Sequence, residues 1–69
     1  MSNRIPRNFN FILAEALTSN NAGVVGDLFY VVKDDMGRYI GTNTRTEKEY
    51  SMFVSSLRNE HYFKLLKVA

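Results

Sequence analysis

Chemistry at a protein site needs groups that can be held together with shifted pKa values, and His61 is the first place to look for it. It is the only histidine in the chain. It can act as a general base with Glu60 or Asp27. A histidine between a helix end and a strand more commonly serves the helix C-terminus, whose partial negative charge favours an imidazolium. No cysteine is present, which removes thiol nucleophiles, thiolate metal sites and disulfides together. Asp34 and Asp35 offer adjacent carboxylates of the kind a hard cation takes, yet no further donor follows at the spacing of a calcium loop, so they read as turn aspartates. One histidine among scattered acids provides no zinc set either. Gly23-Val24-Val25-Gly26 and Gly37-Arg38-Tyr39-Ile40-Gly41 lack the lysine and the strand-to-helix setting of a phosphate loop, and their glycines are expected in turns and bulges. The expectation is a protein that is not an enzyme, with no catalytic residue, no cofactor and no metal.

Without reactive groups, function falls to the surface. Nine basic residues face seven acidic ones, a formal charge of +2, a weak field for a dedicated nucleic-acid binder. The distribution carries more information than the sum. Residues 1–14 hold Arg4 and Arg7, residues 61–69 hold Lys64 and Lys67, and every acid lies from Glu15 to Glu60. A fold that joins the two ends makes one basic patch able to meet phosphate or an acidic protein surface. The simpler reading is that lysines on a tail and an edge strand keep the chain soluble and its edge unpaired.

Two kinds of partner follow. Binding to another protein would rest on Phe11, Met52 and Tyr62, apolar side chains that fall off the predicted core faces, as Met36 also does. Binding to nucleic acid would call on Arg4, Arg7, Arg38, Arg45, Lys64 and Lys67, with Phe29, Tyr39 and Phe63 sharing one sheet face for bases to stack on, beside Lys33, Arg38 and Lys64. Aromatic residues on strands serve the core far more often than a platform, so the protein partner is the leading expectation and nucleic acid the alternative. A homodimer is a further route by which so small a fold enlarges its core.

The elements that must position these residues follow from periodicity. Asn8 or Asn10 can cap a helix whose apolar residues Phe9, Ile12, Leu13, Ala16 and Leu17 recur at helical spacing. Phe9, Phe11 and Leu13 alternate as a strand face, but Ala14-Glu15-Ala16-Leu17 are strong helix formers and favour the helix, stopped by 18–23. The run 28–32 is β-branched and aromatic, the kind found in the middle of a sheet. Asp34-Asp35-Met36-Gly37 supplies turn chemistry, and 38–42 returns as the second arm of a hairpin. Thr44 with Glu47, and Thr46 with Glu49, have capping-box spacing ahead of Tyr50, Phe53, Val54 and Leu57 on one helical face, predicting a second helix to about Asn59. Residues 62–68 close the chain as a lysine-punctuated strand.

Sixty-nine residues at 45% hydrophobic, 13% aromatic and 23% charged make one compact domain over 1–69 and exclude a disordered chain. The expected fold is α+β in the order helix, strand, strand, helix, strand, with a three-stranded antiparallel sheet packed on helices. Its rival is a winged helix-turn-helix with the Asp34 to Gly37 hairpin as wing, which lacks a convincing third helix because Gly23 and Gly26 fall within it. No run approaches the ~20 apolar residues of a membrane helix and the amino end lacks a signal-peptide run, so a cytoplasmic location is expected. Short proteins of this kind are frequent among bacteriophage and mobile-element accessory genes, and the reading overall is a small regulator or inhibitor that binds a host protein.

Overall fold

The computed structural model describes residues 3–69. Its strands are β1 (Ile12–Ala16), β2 (Leu28–Lys33), β3 (Tyr39–Asn43), β4 (Glu49–Met52) and β5 (Phe63–Val68), with one short helix, α1 (Val54–Arg58), before the last strand. They form a single five-stranded sheet in the order β4-β3-β2-β1-β5, every pair antiparallel. The first four strands meander. The chain then crosses from one edge of the sheet, through α1, to add β5 at the other edge beside β1.

This architecture corrects the expected three-stranded sheet packed on two helices, and the winged-helix rival with it. The predicted first helix is strand β1. Its Ala-Glu-Ala sequence favours a helix by no more than some tenths of a kcal/mol per residue, whereas β1 is laddered on both sides, to β2 and to β5. The alternation decides its faces: Ile12, Ala14 and Ala16 are buried while Leu13 and Glu15 between them are not. The predicted second helix survives only as the single turn of α1. The threonines of both supposed capping boxes serve a turn instead. Thr44 Oγ1 donates to the Leu28 carbonyl at 3.0 Å, and Glu47 sits at φ 63°, a left-handed conformation unavailable inside a helix. Glu49 to Met52 alternates outward and inward as β4, with Tyr50 and Met52 half-buried.

The hairpin of β2 and β3 forms as the turn residues predict. Gly37 takes φ 80°, and Asp34 Oδ1 accepts the N–H groups of Met36 and Arg38 at 2.9 and 2.8 Å, an Asx turn that fixes the register Lys33 to Tyr39. The expected final strand also forms, with one extra residue: Leu13 pairs with Lys67 but Ala14 with Leu65, so Leu66 occupies a bulge.

The core lies on one face of the sheet. Ile12, Ala14, Ala16, Phe29, Val31, Leu57 and Phe63 are buried, with Phe63 edge-on to Phe29 at 5.8 Å and Tyr50 beyond it at 6.5 Å. Five residues of helix are far below the length that holds by itself. α1 is kept in place because Leu57 is fully buried, a contribution of about 1.5–3 kcal/mol. The Asn3 amide also donates to the Leu57 and Phe63 carbonyls at 2.9 and 2.8 Å. The small Ala14 and Ala16 leave room on the sheet for this helix and the rings around it. No helix among the described residues is long and apolar enough to cross a membrane.

Candidate functional site

The connection between β1 and β2, residues 17–27, is the longest in the chain and folds on itself. Asn20 and Gly23 exchange backbone hydrogen bonds, Asn20 Oδ1 accepts the Ala22 N–H, and Gly26 turns the chain at φ 93°. The loop is pinned to the β3–β4 turn by a knot of polar side chains. Asn43, fully buried, donates through Nδ2 to the Ala22 carbonyl at 3.0 Å and to Asp27 Oδ2 at 2.9 Å, and accepts through Oδ1 from the Arg45 and Thr46 N–H groups. All four hydrogen-bonding positions of its amide are filled. Asp27 also receives Arg45 Nε at 2.7 Å, Arg45 Nη2 at 2.9 Å and the Val24 N–H at 2.9 Å. The Arg45 guanidinium first, then Asn43 and the Val24 N–H, hold the Asp27 carboxyl far below the usual carboxylate range, and Asp27 in turn raises Arg45. Gly23 is required here because a Cβ would lie 2.6 Å from Asp27 Oδ2 and 2.7 Å from Asn43 Nδ2.

Fixing the loop in this way leaves a groove between it and α1. One pocket of about 140 Å³ has Phe29, Tyr50 and Phe63 in its lining, with Met52, Phe53 and Ser56 on the other strand and helix. A second, of about 400 Å³, shares Thr18, Asn20, Ser56 and Phe63 with it and reaches Tyr62. No charged side chain lines either pocket. Hydroxyls and an amide share this lining with aromatic rings, and no carboxylate or imidazole is part of it. Such a lining can desolvate an apolar side chain and hydrogen-bond a backbone. Phe53, at the N-cap position of α1, stands at the rim of the groove 78% exposed, and Tyr62 is 47% exposed.

The residues singled out by sequence divide among several places. Met52 and Tyr62 line the groove. Phe11 is on the opposite face, its ring stacked on Tyr30 at 5.0 Å and 19°. Arg38 and Arg45 are engaged within the fold. Arg38 Nε meets Asp34 Oδ2 at 2.7 Å, and this pairing with the Arg38 and Met36 N–H groups lowers the Asp34 pKa, the Arg38 N–H most. Arg4 and Arg7 are exposed in the amino-terminal segment, and Lys64 and Lys67 are exposed on β5. The expected stacking platform is overturned: Phe29, Tyr39 and Phe63 do share a face, but it is the core face, where Phe29 and Phe63 are buried and Tyr39 is half-buried against the core cluster. His61 is exposed in the turn after α1, its backbone N–H given to Asn59 Oδ1, while Asp27 is already saturated by Arg45, Asn43 and Val24. Among the described residues no group of three potential ligands could hold a metal ion.

Comparison with known proteins leaves the site to speak for itself. No family model, curated protein or solved structure matches this chain. Two features of the candidate site carry little sequence signal. Helical periodicity puts Phe53 on a buried face, and only the alternation of Glu49 to Met52, read as a strand, puts it at a rim. The Asp27–Asn43–Arg45 knot carries no local signal, since Arg45 and Asp27 are eighteen residues apart.

Proposed function

We propose that the protein is a non-catalytic regulator or inhibitor that binds another protein by taking a short, uncharged, extended segment of it into the groove between the 17–27 loop and α1. The observation that carries this reading is Phe53. A phenylalanine held almost fully in water beside an aromatic-floored, charge-free cleft is costly for a free protein and useful to one that closes on a partner. The polar rim of Thr18, Asn20, Ser51 and Ser56 supplies the few directional contacts that set orientation. The small groove fits a moderate affinity, in which one or two buried anchors carry most of the energy.

The experiment is to pan a displayed random-peptide library against the protein and measure the enriched peptides on variants. Enrichment of sequences with an aromatic or aliphatic anchor, bound at least tenfold more weakly by Phe53→Ser and Tyr62→Ala, supports the reading. A library that yields nothing, or peptides indifferent to both substitutions, overturns it.

A further inference from the structure

The acid-free ends of the chain lie side by side. Asn3 hydrogen-bonds to Arg58, Leu57 and Phe63, the Asn10 N–H donates to the Ala69 carbonyl at 2.6 Å, and the Ala69 N–H to the Phe11 carbonyl at 3.0 Å, extending the β1–β5 ladder. Arg4, Arg7, Lys64 and Lys67 are all exposed, with Lys64 and Lys67 opposite Glu15 and Leu13 on the outer face of the sheet, and none of the four is in an ion pair among the described residues. Glu15 stands opposite Lys64 in the ladder, so the positive field is least opposed at the other end, where β1 begins and β5 finishes. There, on the outer face, Lys67 Nζ stands 5.9 Å from the Phe11 ring centre, while on the core face Lys33 Nζ stands 5.6 and 5.5 Å from Phe9 and Tyr39 and donates to the Arg7 carbonyl at 2.7 Å. Leu13 pairs with Tyr30 on one side and Lys67 on the other. Tyr30 and Lys67 are thus two strand spacings apart, ~10 Å, on the same face. Tyr30 is 43% exposed.

We infer that the outer face of this end of the sheet binds single-stranded nucleic acid, with a phosphate at Lys67 and a base on Tyr30. Ammonium groups resting on ring faces keep donors for an anion, because a ring offers no full charge to neutralise them. Adjacent cation and aromatic ring are the two elements of a sequence-tolerant single-strand site. A duplex offers phosphates but keeps its bases stacked, so the exposed tyrosine selects the single strand. The surface is separate from the groove and does not depend on it.

Fluorescence anisotropy with a labelled oligothymidylate, an abasic oligodeoxynucleotide of equal length and a duplex tests the inference. The expected result is binding to oligothymidylate at low salt with a log–log salt slope of about −1. Tyr30→Ser should weaken it about tenfold without changing abasic binding. Lys67→Ala should make the slope shallower by about 0.7, while Arg38→Ala, which removes an arginine already paired, leaves affinity unchanged. Absence of binding at low salt, duplex or abasic strands bound as tightly as oligothymidylate, or indifference to both Tyr30→Ser and Lys67→Ala would overturn it. Both substituted residues are exposed, and matching melting curves confirm that the variants fold.

Discussion

The two ends of the sheet hold their cations in opposite ways. At the end where β2 begins and β3 finishes, Arg45 meets the buried Asp27 carboxylate through two nitrogens, with Asn43 and the Val24 N–H donating to it as well. At the other end, Lys33 and Lys67 lie over aromatic rings with no carboxylate against them. A saturated charge is structure: it fixes the 17–27 loop and hence the groove. A charge over a ring meets no opposite charge and keeps its donors for something outside the molecule. The same residue class therefore has two meanings, and partner burial separates them where sequence cannot.

The sharpest way to break this contrast is Asn43→Ala. It leaves Asp27, the Arg45 and Thr46 N–H groups and the Ala22 carbonyl short of partners. We expect a loss of about 2–3 kcal/mol in urea unfolding, together with loss of peptide binding and no change in nucleic-acid affinity beyond the unfolded fraction. Gly23→Ala tests the same knot by crowding and should cost about 1–3 kcal/mol.

Acid probes the knot without mutation. The folded pKa of Asp27 is depressed, and an unfolded aspartate titrates near 3.9, so the stability it confers is complete above about pH 4. That stability is lost as pH falls below this value, because the unfolded chain takes up the proton first. Asp34 is depressed as well and contributes to the same limb. The urea midpoint of the wild type should therefore fall on acidification, and Asp27→Asn should flatten but not abolish that fall. At the basic end the corresponding changes should be slight: Lys67→Ala should alter stability by less than about 0.5 kcal/mol in the same urea titration. Glu47→Gly, which relieves a left-handed residue in the β3–β4 turn, should stabilise by at most about 1 kcal/mol.

What the sequence disclosed was local. The Asp34–Gly37 turn and the run at 28–32 specify a hairpin by themselves, and the last strand is bounded by Asn59 and His61. What it concealed was long-range. β1 looks helical because Ala14, Glu15 and Ala16 are good helix formers, and the ladders to β2 and β5 that overrule them involve residues far along the chain. Thr44 and Glu47 have the spacing of a cap, but the αL conformation at Glu47 and the bond from Thr44 to Leu28 place them in a hairpin turn. Of the candidate sites, Met52 and Tyr62 were found as apolar residues without a core face, and the basic ends from their lack of acids. Arg45 reads as free for nucleic acid because its partner Asp27 lies eighteen residues away, whereas the Asp34 partner of Arg38 lies just across the predicted turn.

The most direct test of the division between the two ends is a map of backbone amide shifts in the labelled protein, titrated first with a groove-selected peptide and then with oligothymidylate. The peptide should move resonances at 18–20, 51–56 and 62–63, and the oligonucleotide those of Phe11, Tyr30 and Lys67, with little overlap. Both ligands moving the same set, or the peptide acting at Phe11 and Tyr30 while the groove stays silent, would contradict it.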